Sequence, residues 1–304
     1  MASEPIELLC PAKVNLALSV GARDETGLHP IASWMVAVQF GDVLTLEPAQ
    51  NDDSRFDIER ASDAPSAWNR EWSVAQDLCF RTHQLVEQQV HDDLPVRLQV
   101  RKRIPPGAGL GGGSANAAAT LMAMRRLFSL AWDRNALVRL SRQIGSDVGF
   151  LVHALSGGTS SALVTGYGDA IEPIELAQPL HMVLILPPYE CHTGTVYGQF
   201  DVIRANRNLP ADVAKVKGLA RGFELSPHEL CNDLAESACH VEPRLAQDRK
   251  RLRHVLGQDI HITGSGSAMF TLTPDAKTAR QLAQQVKSST GLPAVPTCTM
   301  PSRH

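Results

Sequence analysis

The sequence predicts an α+β chain of two domains, 1–156 and 157–304. Three observations carry that expectation. Strand-like alternation and helical spacing are mixed along the chain, without the steady βαβ order of a doubly wound sheet. At 304 residues the chain is long for one domain, if a domain takes roughly 150. A Gly157-Gly158 pair stands between a short apolar helix and a glycine-marked hairpin, and reads as the joint.

The elements follow in order. Val14, Leu16, Leu18 and Val20 alternate with other residues, as a half-buried strand requires. The turn GARDETGLH leads into an apolar run over 31–40, then Gly41-Asp42 reads as a turn and 43–46 as a strand. Residues 49–66, rich in Asp, Ser and Ala, read as a surface excursion, and a helix is expected over about 73–89. Val96, Leu98 and Val100 alternate with Arg97, Gln99 and Arg101, a strand with one wet face. From Ser114, apolar residues recur at helical spacing through Phe128; Asp133 caps a further helix to about 143. Gly145-Ser146-Asp147 ends that helix and opens a short apolar one. In the second half a hairpin is expected near 166–169 and a strand at 182–186, stopped by Pro187-Pro188. Helical stretches follow near 228–256, then strands at 260–262 and 269–272 around a glycine turn, and a last helix from Asp275 to about 287.

Composition excludes several functions. Lys and Arg number 29 against 32 Asp and Glu, a net charge of −3, so the basic stripe of a duplex nucleic-acid binder is missing. Apolar residues make up 43%, which supplies a core and excludes global disorder. MASEPIELLC has neither the basic nor the apolar region of a secretory leader, and no run of 18 apolar residues occurs. Six cysteines, none spaced C-x-x-C, read as scattered reduced thiols. The expectation is a cytoplasmic protein that engages neither nucleic acid nor membrane.

The densest chemical signal is a glycine cluster. Gly107, Gly109, Gly111, Gly112 and Gly113 occupy five of seven positions between a strand and an alanine-rich helix. Glycine permits positive φ and close approach of a ligand, and the helix start adds unpaired N–H groups. Together they suit a polyphosphate; a merely flexible loop is the plainer alternative. Ser114 stands where a Walker A loop needs Lys. Gly107, Gly109 and Gly112 satisfy G-x-G-x-x-G, yet Pro105-Pro106 intervenes after the strand and no acidic residue occurs over 114–131. From residue type alone, Asp147 is a helix N-cap, Lys13 a solvated strand-end lysine, His29 a turn histidine and Tyr197 a core tyrosine.

IPPGAGLGGGSANAA resembles the phosphate loop of the GHMP kinases, whose pattern is P-x-x-x-G-L-G-S/G-S-S/A-A. Pro11-Ala12-Lys13-Val14-Asn15 resembles the N-terminal motif of that family, and Thr263-Gly264-Ser265-Gly266-Ser267-Ala268 its C-terminal glycine loop. Gly27-Leu28-His29, Gly145-Ser146-Asp147-Val148-Gly149-Phe150 and Asn232-Asp233-Leu234 are similar to features of the branch acting on 4-diphosphocytidyl-2-C-methylerythritol, in the non-mevalonate isoprenoid pathway. The resemblance spans roughly residues 11–272.

The resemblance implies a ribosomal-protein-S5-like N-terminal domain, a ferredoxin-like C-terminal domain, and a monomer or homodimer. It implies ATP with Mg²⁺, and transfer of the γ-phosphoryl group to the 2-hydroxyl of a CDP-alcohol. Pro105, Pro106, Gly107, Ala108, Gly109, Leu110, Gly111, Gly112, Gly113, Ser114 and Ala115 would cradle ATP, with Ser114 near Mg²⁺. Asp147 would take the hydroxyl proton, and Lys13 would pair with Asp147 and offset phosphoryl charge. Asn15, His29, Thr193 and Tyr197 would contact the cytidine or diphosphate, Tyr197 by stacking. Three positions depart from the pattern: Leu28 stands for a usual Tyr, Gly149 for Pro, and Glu71-Trp72-Ser73 for an adenine-binding Asp-Asn-Leu. Two alternatives stay open: a family kinase for a homoserine- or sugar-type alcohol, and a nucleotide-binding relative without activity.

Overall fold

The computed structural model describes every residue except 1–3, 50–52, 66–67, 69–73, 205–208, 223–226 and 302–304. Glu71-Trp72-Ser73 therefore lies outside the described residues. The first sheet has six strands: β1 (Ile6–Val20), β2 (Ile31–Pro48), β3 (Arg55–Arg60), β4 (Val96–Lys102), β5 (Ser161–Gly166) and β6 (Ala170–Pro173). Their order is β3-β4-β2-β5-β6, with β1 paired along β2. Helices α1 (Leu78–Val90), α2 (Gly112–Leu127), α3 (Arg134–Ser141) and α4 (Val148–Leu155) accompany this sheet. The second sheet holds β7 (His181–Ile185), β8 (His261–Ile262), β9 (Met269–Thr273) and β10 (Ala294–Cys298), in the order β10-β7-β9-β8. With it come α5 (Thr193–Ile203), α6 (Val213–Arg221), α7 (Ala235–Val241), α8 (Pro243–Leu256) and α9 (Ala276–Thr290). The fold is α+β, as expected.

The two sheets share a core. Val14, Leu16, Val36 and Leu110 pack in one cluster with Met182, Leu184 and Phe270. The break between sheets falls between Pro173 and His181, downstream of Gly157-Gly158, because β5 and β6 pair into the first sheet. None of the described helices is long and apolar enough to cross a membrane.

Several elements differ from the sequence expectation. β1 is not half-buried: all of 14–20 is buried, because its residues enter all three apolar cores. Gly41-Asp42 is no turn, and β2 runs through it. A Cβ on Gly41 would stand 2.3 Å from the Cys10 carbonyl oxygen, so glycine serves a close approach of β1 and β2. The 49–66 excursion contains β3, parallel to β4, whose charged and mostly exposed sequence RFDIER hides the strand signal. α5 and α6 were unforeseen; α5 carries Gly194 and Gly198 and buries only Val196 and Phe200. β10 was also missed, since it contains Pro296, which an edge strand tolerates.

Candidate active site

β1 collects the distant motifs. β2 covers one of its edges, and three loops dock on the other. Lys13 N–H donates to Leu110 O at 3.0 Å, placing the glycine loop. Asn15 N–H donates to Thr263 Oγ1 at 2.9 Å, placing the 263–267 turn. Leu18 N–H donates to Cys231 O at 2.8 Å and Val20 N–H to Asp233 Oδ2 at 2.9 Å, placing Asn232-Asp233-Leu234.

The glycine loop is shaped by its protein neighbours. Gly109 and Gly111 have φ of +73° and +67°, a region L side chains rarely adopt. A Cβ on Gly109 would stand 2.3 Å from Thr263 O, so the loop meets the second glycine turn backbone against backbone. A Cβ on Gly111 would stand 2.8 Å from Lys13 Cγ, so the loop lies on the lysine stem. At Gly112 the Cβ would stand 2.9 Å from the Ile104 side chain, so glycine here lets the helix start close on the core. Gly111 caps α2 without a side-chain hydrogen bond. The N–H groups of the first turn and the positive dipole end therefore suit an anion in the cavity. Beneath the loop, the buried Lys102 ammonium donates to Asp42 Oδ2 at 2.5 Å and Asn116 Oδ1 at 2.6 Å. Asp42 Oδ1 accepts from the N–H groups of Arg103 and Ile104, fixing where the strand ends and the loop begins.

Asp147 stands at the N-cap of α4, but its carboxylate makes no capping hydrogen bond. Asp147 Oδ2 lies instead 3.5 Å from Lys13 Nζ. Lys13 is 5% exposed, so it is not a solvated strand-end lysine. Its Nζ donates to Asn15 Oδ1 at 2.6 Å; Asn15 Nδ2 donates to Ser33 Oγ at 2.7 Å, and Ser33 donates to Ala17 O at 3.0 Å. That relay fixes the ammonium beside the carboxylate. Asn15 is 2% exposed, and its amide braces Lys13.

A second cluster faces the same cavity. His29 Nδ1 lies 2.9 Å from Gly21 O and Nε2 3.4 Å from Asp201 Oδ1. Its ring packs against Tyr197 at 5.0 Å between centroids. Burial and the nearby Asp147 charge push the Tyr197 phenol up to about 12, so its hydroxyl stays protonated at neutral pH. Thr193 Oγ1 and Ser265 Oγ lie 3.1 Å apart, which joins α5 to the second glycine turn. Leu28, 54% exposed, sits at the mouth.

One cavity of about 1170 Å³ is lined by Lys13, Asn15, His29, residues 105–114, Asp147, Thr193 and Tyr197. Of the expected site residues only Ala115 is outside the lining; it is fully buried in the first core. The volume exceeds that of a usual single-ligand pocket, about 300–1,000 Å³. Sequence reasoning missed Ser33, Lys102 and Asp201 as parts of this region. Asp201 follows Tyr197 by four residues and becomes legible once α5 is assigned. Among the described residues no group of three or more His, Cys, Asp or Glu is disposed to hold a metal ion.

Comparison with known proteins agrees with this construction. Residues 77–158 match the family described as GHMP kinases N terminal domain. A 4-diphosphocytidyl-2-C-methyl-D-erythritol kinase of Pelotomaculum thermopropionicum is 30% identical over 284 residues, 93% of this chain and 94% of that protein. A crystal structure of 4-(cytidine 5'-diphospho)-2C-methyl-D-erythritol kinase superposes with a TM-score of 0.74 at 30% identity, covering 97% of this chain and 100% of the other. The homoserine kinase of Cytophaga hutchinsonii shares the fold at 15% identity, with a TM-score of 0.65 over 99% of this chain and 96% of its own. Its ordered motifs, its fold and its near full-length similarity place the chain in the 4-diphosphocytidyl-2-C-methyl-D-erythritol kinase family of the GHMP kinases.

Proposed function

We propose that this chain uses ATP to phosphorylate the 2-hydroxyl of 4-diphosphocytidyl-2-C-methylerythritol. One observation carries the reading. The Lys13–Asp147 pair stands in the same cavity as the uncapped start of α2 and the His29–Tyr197 pair. Phosphoryl transfer asks the protein mainly for positioning and charge neutralisation. The α2 N-terminus and the loop 105–114 hold the ATP phosphates. The acceptor hydroxyl oxygen attacks the γ-phosphorus while the bond to the β-phosphate oxygen breaks and ADP leaves. Asp147 takes the hydroxyl proton, and Lys13 offsets negative charge on the transferring group. Tyr197 gives the cytosine a stacking face, and His29 a polar partner beside it. Ser114 at the start of α2 and single carboxylates of the cavity lining, Asp77 and Asp147 among them, are the side chains that would hold Mg²⁺ together with the ATP phosphates and water. When bound, the ion supplies charge neutralisation at the phosphates.

The test is a phosphorus-NMR time course with ATP and a panel of alcohols: the CDP-alcohol, homoserine, mevalonate and galactose. A new phosphomonoester resonance with the CDP-alcohol is expected. A product only with another alcohol would move the protein to another branch. ATP binding without any product would favour a nucleotide-binding relative.

A further inference from the structure

The β5–β6 hairpin tip bridges two parts of the site that are far apart in sequence. On one side it rests on the Gly145-Ser146-Asp147 turn. A Cβ on Gly168 would stand 2.5 Å from Ser146 O, and Arg142 Nη2 donates to Asp169 O at 3.0 Å. On the other side the Tyr167 hydroxyl donates to Asp24 Oδ2. Asp24 organises the turn that carries Leu28 and His29: its Oδ1 accepts from Thr26 N–H at 2.9 Å and Leu28 N–H at 3.1 Å. Tyr167 is 43% exposed and lines the cavity, so no packing need holds its ring at the mouth. Hydrogen bonds from Thr26 and Tyr167 hold the Asp24 carboxyl down at about 2, and the same bond pushes the Tyr167 phenol up. The pair therefore keeps one protonation state across neutral pH, a neutral donor facing an anionic acceptor.

We propose that Tyr167 is an acceptor-positioning residue: its bond to Asp24 ties the Leu28–His29 turn to the Asp147 turn across the cavity mouth. The tie fixes the distance between the groups that grip the far end of the acceptor and the group that takes its proton. A small misplacement of these two regions is costly, because reacting atoms must be held at near-contact geometry. Among the described residues, the ATP side of the cavity, built on α2 and its loop, shares no hydrogen bond with this clasp. Removal of the clasp therefore weakens the acceptor and spares the nucleotide. The inference rests on the CDP-alcohol reading for the identity of the acceptor.

The test compares wild type with Tyr167→Phe, Asp24→Asn and the double variant. Steady-state kinetics are measured with whichever alcohol of the panel is phosphorylated. Tyr167→Phe keeps the ring and should raise the acceptor KM about three- to tenfold. The ATP KM should stay within about twofold, and the double variant should be no worse than the worse single one. Hydrogen exchange followed by mass spectrometry reads the turn directly. In Tyr167→Phe, peptides covering 23–29 should exchange faster, and peptides of α2 should not. An unchanged acceptor KM, equal rises for both substrates, or unaltered exchange over 23–29 would each overturn the clasp. A wild-type protein inactive on the CDP-alcohol but active on another panel member would sink the substrate reading alone. The clasp would then stand or fall on that other alcohol and on the exchange result.

Discussion

Asn15 shows how a residue's role depends on partners that spacing does not reveal. Within Pro-Ala-Lys-Val-Asn it reads as a ligand contact, yet its amide bridges Lys13 and Ser33. Asp147 shows the reverse: its residue type and place spell an N-cap, but the carboxylate turns to Lys13. Residue type cannot distinguish the two, because both place an anion at a helix start. Tyr197 was legible only through motif order; its place beside His29 depends on α5, whose glycines blurred the helical pattern. If Tyr197 gives the cytosine its aromatic face, Tyr197→Ala should raise the KM for the CDP-alcohol fivefold or more, from a stacking contribution of about 1–3 kcal/mol. Steady-state kinetics check this, and the ATP KM should barely move. Leu28→Tyr, which adds an aromatic at the mouth, should lower the acceptor KM in the same assay.

Among the elements, the glycine loop was the clearest sequence feature: the expected positive φ is present at 109 and 111, and close packing of protein on protein adds a second reason for glycine. A Cβ at 109, 111 or 112 meets Thr263, Lys13 or Ile104, so these glycines let loops and strand close on one another. Gly109→Ala combines positive φ with a backbone clash, so it should cost about 2–4 kcal/mol of stability and raise the ATP KM. Urea unfolding and ATP kinetics measure the two effects separately. Gly113→Ala is the control for the stability effect alone, because its Cβ would meet only Leu78 Cδ1 at 3.5 Å, an ordinary contact within the protein. The Lys102–Asp42–Asn116 network ties β2, β4 and α2 beneath that loop. Lys102→Met leaves the Asp42 carboxylate, which is 0% exposed, without its cation, at an expected cost of about 3–5 kcal/mol. Lys102→Met with Asp42→Asn should recover part of that loss in the same urea titration. Gly-Asp is a common turn signal, and only the long-range bonds to Lys102, Arg103, Ile104 and Asn116 reveal Asp42 as a buried anchor.

For the whole molecule, strands with strong alternation, capped helices and the α+β mixture were legible in the sequence. β3, α5, α6 and β10 were not, since their signals are charge-rich, glycine-broken or proline-bearing. The placement of the sheet break was hidden for another reason. β5 returns to β2 across more than a hundred residues and carries β6 with it as a local hairpin, and a long-range pairing leaves no local mark. What the fold achieves is to bring β1, the glycine loop, the second glycine turn and the start of α4 around one cavity. On the proposed function, this cavity is a single kinase site with Lys13 and Asp147 at its chemical centre. The most direct measurement is kcat for ATP-dependent phosphorylation of the CDP-alcohol by wild type, Asp147→Asn, Lys13→Met and the double variant. Asp147→Asn loses no capping bond, so the fold should be kept, as circular dichroism checks. kcat should fall about 10²–10⁴-fold in each single variant, with both KM values within a few-fold. The double variant should be little worse, because the two residues act as a unit. Full activity in Asp147→Asn would contradict the account and leave Asp147 a residue of the helix start alone.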